Sequence, residues 1–261
     1  MNPALWIAKT GLDAQQTRMG VISNNLANVN TMGYKRGRAA FSDLIYQNLK
    51  QVGAQSSQNT QLPSGLAMGT GVQTTATQKI FTQGNIAQTG NTFDLAINGR
   101  GFFQILRPDG TQAYTRDGAF QVSREGRVVT STGYDLQPAI VVPPDAQSIT
   151  VGVDGIVSAQ LPGQAEAATI GAIQLADFIN PAGLEPIGDN QYRESGASGA
   201  PQIGTPALTG LGSLVQGALE TSNVNTVEEM VNMIETQRAY EMNSKAIASA
   251  DQMLQTLNQR L

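Results

Sequence analysis

Acidic side chains are the one source of catalytic chemistry in these 261 residues, because histidine and cysteine are both absent. Without them there is no imidazole base, no thiolate nucleophile and no Cys or His metal ligand. Asp109, Asp117, Glu125, Asp135 and Asp154 remain in the middle of the chain. Two carboxylates roughly 5 to 9.5 Å apart would suit glycoside hydrolysis. Yet Asp109, Asp117, Glu125 and Asp154 each directly precede a glycine, a setting in which the side chain serves turn geometry. No loop has the alternating Asp/Asn spacing of a calcium site. Met68-Gly69-Thr70-Gly71 is the nearest approach to a phosphate loop, and it lacks a third glycine and a following Lys-Ser/Thr. The expectation is a chain with no catalytic residues, no cofactor and no metal.

The composition points away from several other functions. Sixteen basic and 20 acidic residues give a net charge of −4, with no basic patch, so nucleic acid is not an expected partner. No stretch approaches 18 apolar residues, so membrane insertion is not expected either. The first ten residues lack a basic segment followed by an apolar run, so no cleavable signal peptide is expected. Hydrophobic residues reach 40%, enough for a core, but charged residues only 14%. Globular proteins average about 25% charged, so much of this surface is expected to face protein in the working state.

Two heptad patterns stand at the chain ends. Leu5, Leu12, Met19 and Leu26 fall seven apart, and Ala8, Gln15, Ile22 and Val29 form a companion row offset by three. This is the 3–4 spacing of a coiled-coil seam. At the other end Met233, Tyr240, Ile247, Leu254 and Leu261 repeat by seven, with a mostly polar companion row of Met230, Gln237, Ser244, Asp251 and Asn258. Thr226 and Glu229 make a capping-box pattern that opens this helix. Both helices carry Ala, Asn, Gln, Ser and Thr on their other faces instead of alternating Glu and Lys. Helices packed on several sides by neighbouring copies can carry that composition.

Between the helices the period becomes two. Phe93, Leu95 and Ile97 alternate with Asp94, Ala96 and Asn98, and β-prone runs follow at 101–106, 112–123, 127–136 and 169–178, punctuated by Asp-Gly and Pro-Ala-Gly turns. Gln/Ser/Gly-rich residues 51–71 and Gly/Ala/Ser/Pro-rich residues 195–213 read as linkers. Residues 36–50 are ambiguous, with Phe41, Leu44, Ile45 and Leu49 spaced for a helix. The fold class expected is mixed α and β: paired terminal helices and a central all-β domain. The division expected is a helix over 1–30, a linker and further segment over 31–71, a β domain over 72–195, a linker over 196–219 and a helix over 220–261.

Longer motifs carry a resemblance. Ser23-Asn24-Asn25-Leu26-Ala27-Asn28-Val29-Asn30-Thr31-Met32-Gly33-Tyr34-Lys35 near the start, and Glu220-Thr221-Ser222-Asn223-Val224-Asn225 followed by Glu235-Thr236-Gln237-Arg238-Ala239-Tyr240-Glu241 near the end, resemble the axial proteins of the bacterial flagellum. Met32 stands where that family usually has Pro or Thr. Asn24, Asn25, Asn28, Asn30, Thr31, Gly33, Asn223 and Asn225 are the motif positions. Phe41–Gln47, Phe93–Phe103 and Tyr114–Gly118 are similar to the rod branch, its distal part above all, with a proximal rod paralogue as the nearest rival.

The resemblance implies a structural subunit that is exported without a cleaved signal and polymerises with itself into a helical tube. Its implied partners are the proximal rod proteins, the hook protein, the surrounding basal-body rings and a rod cap during assembly. It implies an inner layer of paired helices built on Leu5, Leu12, Met19, Ile22, Leu26, Val29, Met230, Met233, Tyr240, Ile247, Leu254 and Leu261. A secreted glycan-binding or cell-wall enzyme module is the alternative of another class. It would call for a signal, an aromatic groove and a carboxylate pair, whereas aromatics are 5% and the one tryptophan, Trp6, lies in the first helix pattern.

Overall fold

The computed structural model describes residues 3–53, 55–57, 60–61, 64–163, 166–208 and 210–260. Helix α1 runs Pro3–Ala27 and helix α2 runs Thr226–Arg260, with the strands between them. This is the expected mixed α and β class. The chain divides into two compact units. The first combines the segment up to Leu26, Gly37–Gln78 and the segment from Thr226; the second combines Ala27–Arg36 and Lys79–Asn225.

The first unit holds both helices. Asn25 near the end of α1 donates to Glu229 near the start of α2, Nδ2 to Oε1 at 3.3 Å, so the pair is antiparallel. Strands Gly37–Asp43 and Val72–Lys79 pair in a two-stranded ladder, and Tyr46–Lys50 pairs with Leu66–Gly69 in a second. The helical spacing read over 36–50 is therefore overridden. Arg38 and the alternation of half-buried and exposed residues along Gly37–Asp43 suit an extended strand. Part of the expected linker over 31–71 is likewise a hairpin, with Ile45, Tyr46, Leu49 and Val52 exposed.

The second unit is built on an antiparallel sheet. Its main path runs Phe120–Val122, Val128–Thr130, Asp135–Gln137, Phe102–Leu106, Gln112–Thr115, Gln191–Arg193 and Glu185–Gly188, with Leu175–Asp177 and Gln202–Gly204 branching from Phe102–Leu106. A three-stranded sheet, Ser148–Val151, Ile156–Gln160 and Ala168–Ala172, faces one core with it. Leu95, Ile97, Phe103, Phe120, Leu136, Ile173, Leu175 and Leu214 fill that core. Phe102, Tyr114, Phe178, Leu184 and Tyr192 fill a smaller one on the other side, joined by edge-to-face ring contacts.

Two expectations are corrected here. Residues 196–219 are not a free linker: Gln202–Gly204, Ser213–Gln216 and Ala218–Glu220 all pair with other strands. The alternation read along 93–98 does not separate a buried face from an exposed one: Asp94 and Ala96 are buried as well, because Leu95–Asn98 is covered on both faces. Ala96 is small enough for the second face, and Asp94 is satisfied by the Thr89 hydroxyl at 2.5 Å and the Asn91 amide at 3.0 Å.

Candidate assembly site where the terminal motifs meet

The motif that ends the first helix and the motif that precedes the last one close on each other inside the second unit. α1 stops at Ala27, where Asn28 begins a turn: the Thr31 N–H donates to the Asn28 carbonyl and the Thr31 hydroxyl to Asn28 Oδ1, both at 3.2 Å. Val29 thus lies beyond the helix, contrary to its place in the expected seam. Gly33 follows at φ +68°, and a Cβ there would lie 2.6–2.9 Å from the backbone of Arg116 and Asp117. Only glycine tolerates both the left-handed backbone and that approach. The Gly33 N–H donates to the Glu220 carbonyl at 2.8 Å.

Glu220 is the centre of the closure. Lys35 Nζ lies 2.6 Å from its Oε1, the Gly84 N–H donates to the same oxygen at 2.8 Å, and Arg116 reaches Oε2 at 2.8 Å through both Nε and Nη2. The Lys35, Glu220 and Arg116 side chains are 1, 1 and 5% exposed. Their remaining donors are also used: Lys35 Nζ on the Thr82 carbonyl at 2.9 Å, and Arg116 Nη1 on the Gly99 and Gly101 carbonyls at 2.9 and 2.7 Å. Burial pulls the Lys35 ammonium below its ordinary pKa, and Arg116 adds to this while Glu220 pushes back. Desolvation thus outweighs attraction at the lysine, the usual balance for a fully buried pair. Nearby, Lys79 sits 4.2 Å over the Tyr34 ring, its pKa also lowered by burial. Burial raises the Tyr192 hydroxyl and lifts that of Tyr114 to about 12.

Asn223 is the second fastening. Its Oδ1 accepts the Arg36 N–H at 2.7 Å, and its Nδ2 donates to the Ile80 and Thr82 carbonyls at 2.9 and 3.1 Å. Asn190 adds a contact from Nδ2 to the Met32 carbonyl at 2.6 Å. Gly33 and Asn223 were singled out as motif positions, whereas Lys35, Glu220 and Arg116 were quoted within motifs without a charge role. Their signal was present, since all three stand inside the quoted motifs, but partners 185 residues apart leave no spacing to read.

Residues 5–35 match the family described as flagella basal body rod protein, 96–159 the flagellar hook protein FlgE/F/G D1 domain, and 215–260 the flagellar basal body rod FlgEFG protein C-terminal region. Flagellar basal-body rod protein FlgG of Buchnera aphidicola subsp. Schizaphis graminum is 56% identical, over 99% of this chain and all of its own length. The chain belongs to the flagellar basal-body rod proteins. The same-named proteins of Agrobacterium fabrum and Bacillus subtilis are 47% and 39% identical, over 99% and 98% of this chain and of their own. The rod protein FlgF of Caulobacter vibrioides is 35% identical, over the whole of this chain and 98% of its own.

For a rod protein the remaining positions matter by what they expose. Asn25 is buried, its amide bonded to both backbone groups of Gly37, Nδ2 to O at 2.9 Å and N–H to Oδ1 at 2.8 Å. Asn24, Asn30 and Asn225 are exposed. On α1, Ile22 is buried and Leu5, Leu12, Met19 and Leu26 are half-buried. On α2, Met233 and Ile247 are half-buried, but Met230 and Tyr240 stand 52 and 41% exposed and Leu254 is exposed too. Leu261 lies outside the described residues.

The acidic candidates serve turns and pairs. Asp109, Asp117 and Asp154 each accept the N–H two residues on, at 2.9, 3.1 and 3.2 Å. Glu125 and Asp135 both bind Arg127. A groove of about 690 Å³ between Phe93, Val141 and Pro143 carries one carboxylate, Glu125, in its lining. Among the described residues no three His, Cys, Asp or Glu side chains cluster to hold a metal.

Proposed function

We propose that this rod protein is the subunit of the distal rod, a non-enzymatic building block that polymerises into a hollow helical drive shaft. The full-length similarity to relatives named FlgG, at 56 and 47% identity against 35% for a relative named FlgF, carries the reading. The shaft transmits torque across the periplasm to the hook and encloses the export channel. Its partners are further copies of itself, the proximal rod proteins below, the hook protein above, the rings around it and a cap at the growing tip. The subunit reaches that site by export without a cleaved signal.

The helices support a polymer. Val227, Met230, Val231, Ile234, Tyr240, Met242, Met253 and Leu254 are exposed along α2, an apolar load that a lone soluble helix pair rarely carries. Neighbouring copies cover it, and a rotation between copies that does not close gives a tube. The inner layer is thus assigned to the half-buried and exposed members of the two heptad patterns together. Electron microscopy of basal bodies from a strain lacking the gene tests the reading. A rod stub without its distal part is expected, and complete rods would overturn it. Purified protein is expected to release no muropeptides from peptidoglycan; release that disappears with D117N or D154N would refute the non-enzymatic assignment.

A further inference from the structure

The row of α2 that faces α1 is not the apolar one. Glu229, Thr236 and Ala250 are buried at intervals of seven or fourteen, and half-buried Asn243 completes the spacing. The Thr236 hydroxyl is satisfied within its own helix by the Asn232 carbonyl at 2.6 Å. Two contacts cross to α1. Asn25 Nδ2 meets Glu229 Oε1 at 3.3 Å, and Gly11 lies against Asn243, where a Cβ on Gly11 would be 3.1 Å from the Asn243 Nδ2. Gly11 precedes Asn25 by fourteen residues and Asn243 follows Glu229 by fourteen, so both contacts obey one antiparallel register.

We propose that Asn25–Glu229 and Gly11–Asn243 are the pins that set this register, and so decide which apolar residues the helix pair presents to the next copy. The inference rests on the rod reading for its purpose, but not for its geometry. Apolar matching is a weak guide to the register, because the most buried positions of α2 are polar or small and Met233 and Ile247 are only half-buried beside them. A slide of α2 by one heptad, about 10 Å along the axis, carries its seven-residue rows onto equivalent positions. It separates Asn25 from Glu229 and brings Gly11 opposite Thr236 or Ala250. Asn25 is suited to the task because Gly37 already holds its amide from two sides, which fixes the direction in which its Nδ2 meets Glu229. A buried polar residue that specifies register is the best-attested use of such groups in helix pairs. Gly11 acts by shape, since a Cβ there would stand 3.1 Å from Asn243 Nδ2 and push that side chain back.

Disulfide mapping tests the proposal, since the natural chain has no cysteine. R18C/T236C reports the observed register and A14C/I247C reports a slide of one heptad. In the full chain only the first pair is expected to cross-link. Adding E229L and N243L, which removes the pins from α2 and leaves Asn25 bonded to Gly37, is expected to raise the slipped cross-link at least tenfold. E229Q keeps an acceptor for Asn25 and is expected to hold the observed register. An unchanged cross-linking pattern in E229L/N243L overturns the proposal, as does slippage in E229Q. Loss of both cross-links in E229L/N243L also overturns it, by making the pins the source of pairing itself. These readouts come from the purified subunit, so they stand or fall separately from the micrographs that test the rod assignment.

Discussion

Replacing Glu220 by glutamine keeps the shape of the buried closure and removes its charge. The carboxylate takes the Lys35 ammonium and the Gly84 N–H on one oxygen and Arg116 on the other. A glutamine offers one acceptor oxygen and turns an NH2 toward donors, leaving two buried cations without their counter-charge. Breaking a buried pair on one side costs about 3–5 kcal/mol. In a body of this size each kcal/mol moves the melting temperature by about 2–4 °C, so E220Q should melt roughly 6 to 20 °C lower. The internal control is E185Q. Glu185 and Arg193 are as close, 2.8 Å, but their side chains are 53 and 52% exposed, and such pairs are worth about 0–1 kcal/mol. Near-UV circular dichroism of the two variants in one buffer makes the comparison. An E220Q transition within about 2 °C of the parent, or an E185Q loss as large as that of E220Q, would refute the claim that burial makes this pair decisive.

G33A should destabilise by more than the roughly 1–2 kcal/mol of left-handed strain, because its Cβ also meets the Arg116–Asp117 backbone; chemical denaturation measures it. Burial first, and the Asp94 carboxylate second, raise the Asp117 pKa above its ordinary value, against the pull of the Ala119 N–H. The folded chain therefore holds that proton more tightly than the unfolded one, and the penalty for ionising it grows as pH rises above 3.8. D117N should consequently raise the melting temperature at pH 7 and lose that advantage near pH 3, and a gain that is equal at both pH values would contradict the assignment. Deleting residues 250–261 removes Ala250 from the helix pair and touches neither core of the second unit. A cooperative melt should survive while rods fail to form, as judged by calorimetry alongside microscopy of cells.

The ends and the middle of this chain were legible to different degrees. Seven-residue spacing located both helices, and Thr226 marked the first residue of α2. The facing side of α2 was not legible from hydrophobicity, which selected Met230 and Tyr240 where burial falls on Glu229, Thr236 and Ala250. A seam made of small and hydrogen-bonding side chains carries no apolar signal. Short strands set among Gly, Ala, Ser and Pro residues, such as Gln202–Gly204, resembled a linker for the same reason. They are held by backbone ladders whose partners are distant in sequence. Asp-Gly pairs, by contrast, were readable, because an Asx turn is a local interaction. The charge cluster was half-readable: the motifs that carry it were evident, but not that a lysine from one would meet a glutamate from the other.

That long-range meeting bears on time as well as on stability. Lys35 and Glu220 are 185 residues apart, and contacts so distant in sequence are slow to form because loop entropy is lost before any contact repays it. Whichever end of the chain arrives first, its half of the closure has to wait for the other. Any process that delivers the chain from one end therefore leaves the closure open until Glu220 has followed Lys35. The latch and its catch lie at opposite ends of the same thread, so the second unit cannot be completed before both have arrived.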